Sequence, residues 1–198
     1  MSAIAAAAAR VSAFEGKAHV MNLQDDDFTL FGLPRTQQQD EAQLDQRWKA
    51  LQRQVHPDRF VGEGPAAQRV AMQWSVRVNE AYRRLRDPLQ RAAYLCELAG
   101  MPIQAEQNTA MPPDFLMQQM EWREQLDEAD SAQALQCLAD AVRAERDRLL
   151  ASLQVHLDAS HDYAAAASEV RSLMFIEKFA RDVRQRQLQW QHAQAAGA

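Results

Sequence analysis

An all-α fold is predicted for this chain: an antiparallel helical hairpin with short flanking helices, followed by a three-helix bundle. Residues that favour helices, namely Ala, Gln, Leu, Glu and Arg, are abundant, whereas the 198 residues include only 6 Gly and 7 Pro. Apolar residues recur at helical spacing in one segment after another, and no segment shows the alternation that is typical of a strand. Both observations indicate helices throughout.

Composition and charge exclude several functional classes. Hydrophobic residues make up 47% of the chain and charged residues 25%, which is ordinary for a soluble globular protein. The formal net charge of −5 argues against a surface that binds nucleic acid as a whole. Cys96 and Cys137 lie far apart in sequence, so neither a disulfide framework nor a zinc site is expected. We therefore expect a cytoplasmic protein without a metal, a cofactor or a nucleic-acid partner.

Residues 1–24 are expected to form a disordered or weakly helical tail. Their alanine run is too short and too weakly apolar to cross a membrane, and they lack the Leu-rich segment of a secretory signal. Arg10, Lys17 and the serines leave a mitochondrial presequence as a less favoured alternative. No membrane is expected among the partners.

The first helical domain is predicted over residues 25–100. Aspartates before Phe28 can cap a short helix that ends at Gly32. Asp40 can cap a longer helix that runs to Val55. Four residues of this longer helix share one apolar stripe at about 100° per residue: Leu44, Trp48, Leu51 and Val55.

The opposite face of the longer helix is charged. Lys49 and Arg53 are four residues apart and point away from the apolar stripe, and Arg47 lies at one edge. On spacing alone, this face is interpreted as solvated surface rather than as a docking site.

A second long helix begins near Ala66 and completes the hairpin. Its residues expected on the buried face are Val70, Trp74, Val78, Ala81, Tyr82 and Leu85. Asp87 and Pro88 then begin another helix, which Gly100 ends. Prolines and polar residues over 101–112 predict a linker.

Residues 113–198 are predicted to form the second domain, with helices at about 113–129, 131–157 and 161–190. The middle helix has a continuous apolar stripe: Leu135, Leu138, Val142, Leu149 and Leu153. The first of the three has more apolar residues than one buried face requires. Its anchoring stripe consists of Phe115, Trp122, Leu126 and Ala129.

A second apolar group lies on the other side of the same helix. Leu116, Met117 and Met120 point away from the stripe, with Glu124 beyond them and Glu121 at the margin. In the last helix, Phe175 likewise points away from the apolar stripe. On pattern alone, a second buried face and an exposed patch that binds a partner both remain open.

The stretch His56-Pro57-Asp58 has several possible roles. Catalysis is disfavoured because no serine or cysteine lies near His56 in sequence and no glycine-rich phosphate-binding loop occurs. A metal site is disfavoured because His-x-Asp supplies only two ligands and the other histidines lack ligand spacing. Proline ends the helix at His56 and aspartate favours a turn, so the tripeptide is either a rigid recognition tip or an ordinary turn.

In context, these segments resemble the J-domain family of co-chaperones. The resemblance depends on four pieces in order: DDFTLFGLP, the basic helix ending in QRQV, the signature HPDRF, and VNEAYRRLRDPLQRAAYL. Residues 114–128, DFLMQQMEWREQLDE, and 169–178, EVRSLMFIEK, are similar to the C-terminal domain of HscB-type J-domain co-chaperones of iron–sulfur cluster assembly. The resemblance covers residues 25–190.

The resemblance implies that this chain is a co-chaperone and not an enzyme. A J-domain protein stimulates ATP hydrolysis by a DnaK-type chaperone, and in this family the chaperone is HscA and the delivered client is the scaffold IscU. The implied chaperone-binding residues are Lys49, Arg53, His56, Pro57 and Asp58. The implied client-binding residues are Leu116, Met117, Met120, Glu121, Glu124 and Phe175. The alternatives are a J-domain co-chaperone for a different client, and a small hydrolase or metal enzyme that uses His56 and Asp58.

Overall fold

The structure is a computed structural model that describes the backbone of residues 12–14, 17–19, 21–103 and 111–196. The chain divides into two compact units, Met1–Arg91 and Ala92–Ala198. Helices dominate both units, which confirms the predicted all-α class.

A small β-hairpin precedes the helices. Strands β1 (Ser12–Phe14) and β2 (Lys17–His19) pair antiparallel. The prediction of a disordered or weakly helical tail is therefore wrong for these two segments. Adjacent short segments can pair their backbone groups without the apolar alternation that marks a longer strand. The remainder of residues 1–20 lies outside the described residues.

Two of the helices in the first unit begin directly after the predicted capping residues Asp40 and Asp87. The unit contains α1 (Asp27–Phe31), α2 (Glu41–Val55), a 3₁₀ helix (Pro57–Glu63), α3 (Pro65–Arg86) and the start of α4 (Pro88–Leu98). The Asp40 carboxylate accepts hydrogen bonds from the first backbone N–H groups of α2, and the Asp87 carboxylate does the same for α4. These hydrogen bonds confirm both N-caps. The sequence predicts them because a cap depends on residues within one turn.

Helices α2 and α3 form the predicted antiparallel hairpin. Trp48 Nε1 donates to Asn79 Oδ1 at 3.0 Å, and one turn further along α2 the Gln52 side chain accepts from Ser75 Oγ at 3.5 Å. The later residue of α2 therefore contacts the earlier residue of α3, so the two helices run antiparallel. The predicted core residues that are buried are Leu44, Leu51, Val55, Trp74, Val78, Ala81 and Leu85. Trp48, Val70 and Tyr82 are only half-buried.

Three charged side chains of the first unit are buried, which the apolar pattern does not predict: Asp27, Arg47 and Arg91. Arg47 Nη1 donates to carbonyl oxygens at the end of α1, including that of Phe31 at 2.8 Å. Asp27 is fully buried, with its carboxylate 2.6 Å from Arg77 Nη1 and 3.1 Å from Arg84 Nη1. Arg47 is therefore a core residue and not the edge of a charged face, because it satisfies backbone groups that would otherwise lack partners.

The second unit contains the rest of α4, helix α5 (Pro113–Glu128), helix α6 (Ala132–Gln154), a π-helical turn (Val155–Ser160) and helix α7 (Tyr163–Ala196). The division within α4 differs from the predicted domain end at residue 100. Within this unit Cys96 Sγ lies 4.0 Å from the carbonyl oxygen of Tyr163. Residues 104–110 of the predicted linker lie outside the described residues.

The core of the second unit follows the predicted stripes. All five stripe residues of α6 are buried, as are Phe115, Trp122 and Ala129 of the α5 stripe, and Leu126 is half-buried. The Trp122 ring stacks on Phe179 of α7 with centroids 5.8 Å apart. Helix α5 is thus held through one face, as its anchoring stripe predicts.

Candidate functional site

The first candidate site is the tip between α2 and α3, formed by His56, Pro57 and Asp58. His56 has an extended backbone (ψ 127°) and ends α2, as predicted for the residue before a proline. Its Nδ1 accepts a hydrogen bond from the Asp58 N–H at 3.3 Å and lies 3.5 Å from the Asp58 carboxylate. Local bonds therefore fix the shape of the tip without burying it.

Residues after the tip hold it in place. Arg59 Nη1 donates to the carbonyl oxygen of Arg53 at 2.8 Å, which ties the tip back to the last turn of α2. Phe60 is buried against Ala67 and Ala71 of α3. A tip that is already ordered loses less conformational entropy when a partner binds it.

The tip and the charged face of α2 are available to a partner. The His56 side chain is 54% exposed and that of Asp58 is 85% exposed. Pro57 is half-buried, and Lys49 and Arg53 are exposed. The positive charge of these two residues can attract an acidic surface and accelerate association.

A polar network beside this face was not identified from the sequence. The Trp48 and Tyr82 rings stack with centroids 4.6 Å apart, and the Tyr82 hydroxyl donates to Asp45 Oδ1 at 2.6 Å. That hydrogen bond, together with partial burial, raises the pKa of Tyr82. The helical spacing places Trp48 and Tyr82 on the buried stripes, but it contains no signal for the polar partners across the hairpin.

The contacts of the His56 ring lie within the tripeptide itself. Among the described residues, the His56 ring contacts the N–H and the carboxylate of Asp58, and no serine or cysteine donates to it. The same part of the chain contains no group of three or more His, Cys, Asp or Glu side chains placed to hold a metal ion. None of its helices combines the length and apolarity needed to cross a membrane.

The second candidate site is the α5 patch, which consists of Leu116, Met117 and Met120. These side chains are 45%, 63% and 71% exposed, whereas Phe115 and Trp122 on the other face are buried. The described residues thus leave a second apolar face of α5 open to solvent. Glu121 and Glu124 are exposed beside it. Apolar surface rimmed by charge is typical of a protein-binding site.

Phe175 of α7 is placed differently from the α5 patch. It is half-buried, with Phe115 edge-on at 5.9 Å and Phe179 stacked at 5.9 Å between ring centroids. The expectation that Phe175 faces away from the core is therefore only partly met, because its ring lies against the buried face of α5. The Arg123 guanidinium carbon lies 5.7 Å from the centroid of the same ring.

Comparisons with known proteins identify the family. Residues 111–184 match the family described as the HSCB C-terminal oligomerisation domain. The co-chaperone protein HscB homolog of Bordetella petrii is 54% identical over 160 residues, which cover 80% of this chain and 94% of that protein. The homolog of Burkholderia multivorans is 52% identical over 167 residues, covering 83% of this chain and 95% of that protein.

Two solved structures share the fold. The chaperone HscB from Vibrio cholerae is 36% identical with a TM-score of 0.73, over 84% of this chain and 99% of that one. The human co-chaperone protein HscB is 26% identical with a TM-score of 0.79, over 87% of each chain. With a J-domain hairpin, a C-terminal helical bundle and relatives of this identity over nearly their full length, the chain belongs to the HscB family of co-chaperones.

Proposed function

We propose that this chain stimulates ATP hydrolysis by the DnaK-type chaperone HscA and delivers the iron–sulfur scaffold protein IscU to it. It acts in the cytoplasm, assists the maturation of iron–sulfur proteins, and catalyses no reaction of its own. The observation that carries the proposal is the exposed and locally fixed tip, His56-Pro57-Asp58, beside the exposed cations Lys49 and Arg53.

In this proposal the tip acts on a conformational equilibrium of the chaperone. Lys49 and Arg53 attract an acidic surface of HscA, and the tip then makes contacts that are stronger in the conformation that hydrolyses ATP. A partner can shift an equilibrium only by this difference in affinity between two states. The chaperone supplies all the catalytic groups, so the co-chaperone changes the rate without reacting.

Delivery of the client depends on the α5 patch. Leu116, Met117 and Met120 provide an apolar surface whose methionines can adapt to the shape of a partner. Glu121 and Glu124 beside it are suited to cations on IscU. Because the client and the chaperone bind to different units of one chain, each raises the effective concentration of the other.

The test is an ATPase assay with purified HscA, using variants of the tip. We expect the wild-type chain to accelerate phosphate release by HscA and to release none by itself. His56→Gln and Asp58→Asn should abolish the acceleration while the free energy of unfolding changes by no more than about 0.5 kcal/mol, because both side chains are exposed. His192→Gln and Asp140→Asn are matched controls, since both residues are exposed and lie in the second unit.

Circular dichroism checks that the tip variants fold. If folded tip variants stimulate HscA as well as the wild type does, the tip has no role in chaperone binding. Calorimetric titration with IscU separates the proposed client from others: a chain that stimulates HscA but binds no IscU would be a J-domain co-chaperone for a different client.

A further inference from the structure

Arg123 borders the α5 patch but lies outside the residues to which the family resemblance assigns a role. Its guanidinium carbon is 5.7 Å from the centroid of the Phe175 ring, which is within the range of a cation–π interaction. In the sequence it lies between Glu121 and Glu124, and all three side chains are exposed. Arg123 follows Leu116 by seven residues, or about two turns, so it lies on nearly the same side of α5. A cation therefore borders the surface that carries Leu116 and Met120.

The guanidinium of Arg123 has no carboxylate within ion-pair distance among the described residues. Three other arginines of the second unit are held by carboxylates instead. These pairs are Arg143 with Asp140 at 2.9 Å, Arg146 with Glu177 at 2.7 Å and Arg148 with Glu145 at 2.5 Å. The donors of Arg123 are thus oriented by an aromatic ring and left available for a partner.

This arrangement suits a carboxylate on the partner. Arginine presents planar paired donors that match the two oxygens of a carboxylate, and stacking on a ring leaves those donors unused. The contact with Phe175 also reduces the side-chain entropy that binding would otherwise remove. Arginine is enriched among the side chains that dominate binding energies at protein interfaces.

We propose that Arg123 is a specificity-determining residue of the client-binding surface and that it receives a carboxylate of the scaffold protein. The partner surface then has an apolar centre facing Leu116 and Met120, cations facing Glu121 and Glu124, and a carboxylate facing Arg123. This inference rests on the proposed function, since it takes IscU as the partner of the α5 patch.

The test compares substitutions of Arg123 with a matched substitution on α7. Purified IscU is titrated calorimetrically into the full-length chain carrying Arg123→Glu, Arg123→Ala or Arg123→Lys, at about 0.05 M and about 0.5 M salt. Arg186→Glu is the control, because Arg186 is also exposed and without an ion pair among the described residues. It lies about 16 Å along the helix axis from Phe175 at 1.5 Å per residue.

We expect Arg123→Glu to weaken IscU binding by about tenfold or more at low salt, and the difference from wild type to shrink at high salt, where charges are screened. Arg123→Ala should weaken binding less than Arg123→Glu does. Arg123→Lys should lie between wild type and Arg123→Ala, because it keeps the charge and loses the paired donors. Arg186→Glu should stay within about twofold of wild type.

Several results would overturn the inference. If Arg123→Glu and Arg123→Ala weaken binding equally at both salt concentrations, Arg123 only supports the Phe175 ring. If Leu116→Ala with Met120→Ala weakens binding while Arg123→Glu leaves it unchanged, the proposed client surface stands and the role of Arg123 does not. Failure of the wild-type chain to bind IscU would overturn both.

Discussion

At the scale of single residues, two buried charges of the first unit tie its shortest α-helix to the hairpin. Asp27 connects the first turn of α1 to α3 through Arg77 and Arg84. Arg47 connects the end of the same short helix to α2. A helix of five residues cannot hold its own shape in water, so these polar contacts and the burial of Phe28 and Phe31 keep it in place.

Asp27→Asn should destabilise the first unit. The substitution removes the negative charge that two arginines share in a fully buried position. Breaking a buried pair costs about 3–5 kcal/mol, and we expect about 2–3 kcal/mol here because the arginines reach solvent. Chemical denaturation followed by circular dichroism measures the change.

Glu80→Gln is the matched control for this substitution. Glu80 lies on α3 and is exposed, so its loss of charge should change the free energy of unfolding by no more than about 0.5 kcal/mol. Equal midpoints for Asp27→Asn and wild type would show that the buried ion pairs contribute no net stability.

At the scale of elements, α5 has two apolar faces, of which one is buried and the other is exposed. Phe115 and Trp122 anchor it to the bundle, and the α5 patch remains exposed on the other side. The stack of Trp122 on Phe179 lies on the anchoring face and does not involve the patch. The patch can therefore change without loss of the helix.

The double substitution Leu116→Ala and Met120→Ala should weaken IscU binding by about 1–2 kcal/mol for each side chain. The melting temperature should change little, because both residues are exposed and alanine favours a helix. Calorimetric titration measures the affinity, and stimulation of HscA without client should be retained. If the double variant folds and binds IscU with unchanged affinity, IscU does not bind at the α5 patch.

Phe175→Ala is a less informative substitution than this pair. The sequence groups Phe175 with the patch, but its ring packs on Phe115 and Phe179 in the structure. Its removal would leave a cavity at the contact of α5 with α7, so a loss of binding could follow from a loss of packing. Substitution of Leu116 and Met120, which are exposed, tests binding without removing a packing contact of the core.

At the scale of the whole molecule, each unit has its own core and its own candidate surface. The tip belongs to the first unit and the α5 patch to the second. Two cysteines that differ in exposure report on the second unit: Cys96 is buried in α4 and Cys137 is exposed on α6. Burial raises the pKa of the Cys96 thiol to about 11, although the positive charge of Arg171 opposes the shift.

Thiol labelling at about pH 8 should therefore modify one cysteine per folded chain rapidly. Cys137 should react as an exposed thiol, whereas Cys96 is inaccessible and almost entirely protonated at that pH. Both should react in guanidinium chloride, and Cys137→Ser should abolish the fast phase. Rapid modification of both thiols in the folded chain would show that α4 is not packed as described.

The sequence by itself determined the helices, their N-caps at Asp40 and Asp87, the anchoring stripes and the stop at His56-Pro57. These features depend on residues within one or two turns, where spacing and backbone chemistry act locally. Local pattern also identified the α5 patch as a second apolar face. It did not reveal the β-hairpin, the 3₁₀ helix at Pro57–Glu63, where a loop was expected, or the π-helical turn at Val155–Ser160, since none of them shows an apolar periodicity.

Only the tertiary structure decided which faces are covered. Periodicity shows which residues share a face of a helix, but not whether another element lies against that face. Arg47 became a core residue because the end of α1 lies beside it, and Leu116 and Met120 stayed exposed because no described element covers them. Arg123 and Phe175 lie on different helices far apart in sequence, so packing alone brings the cation to the ring.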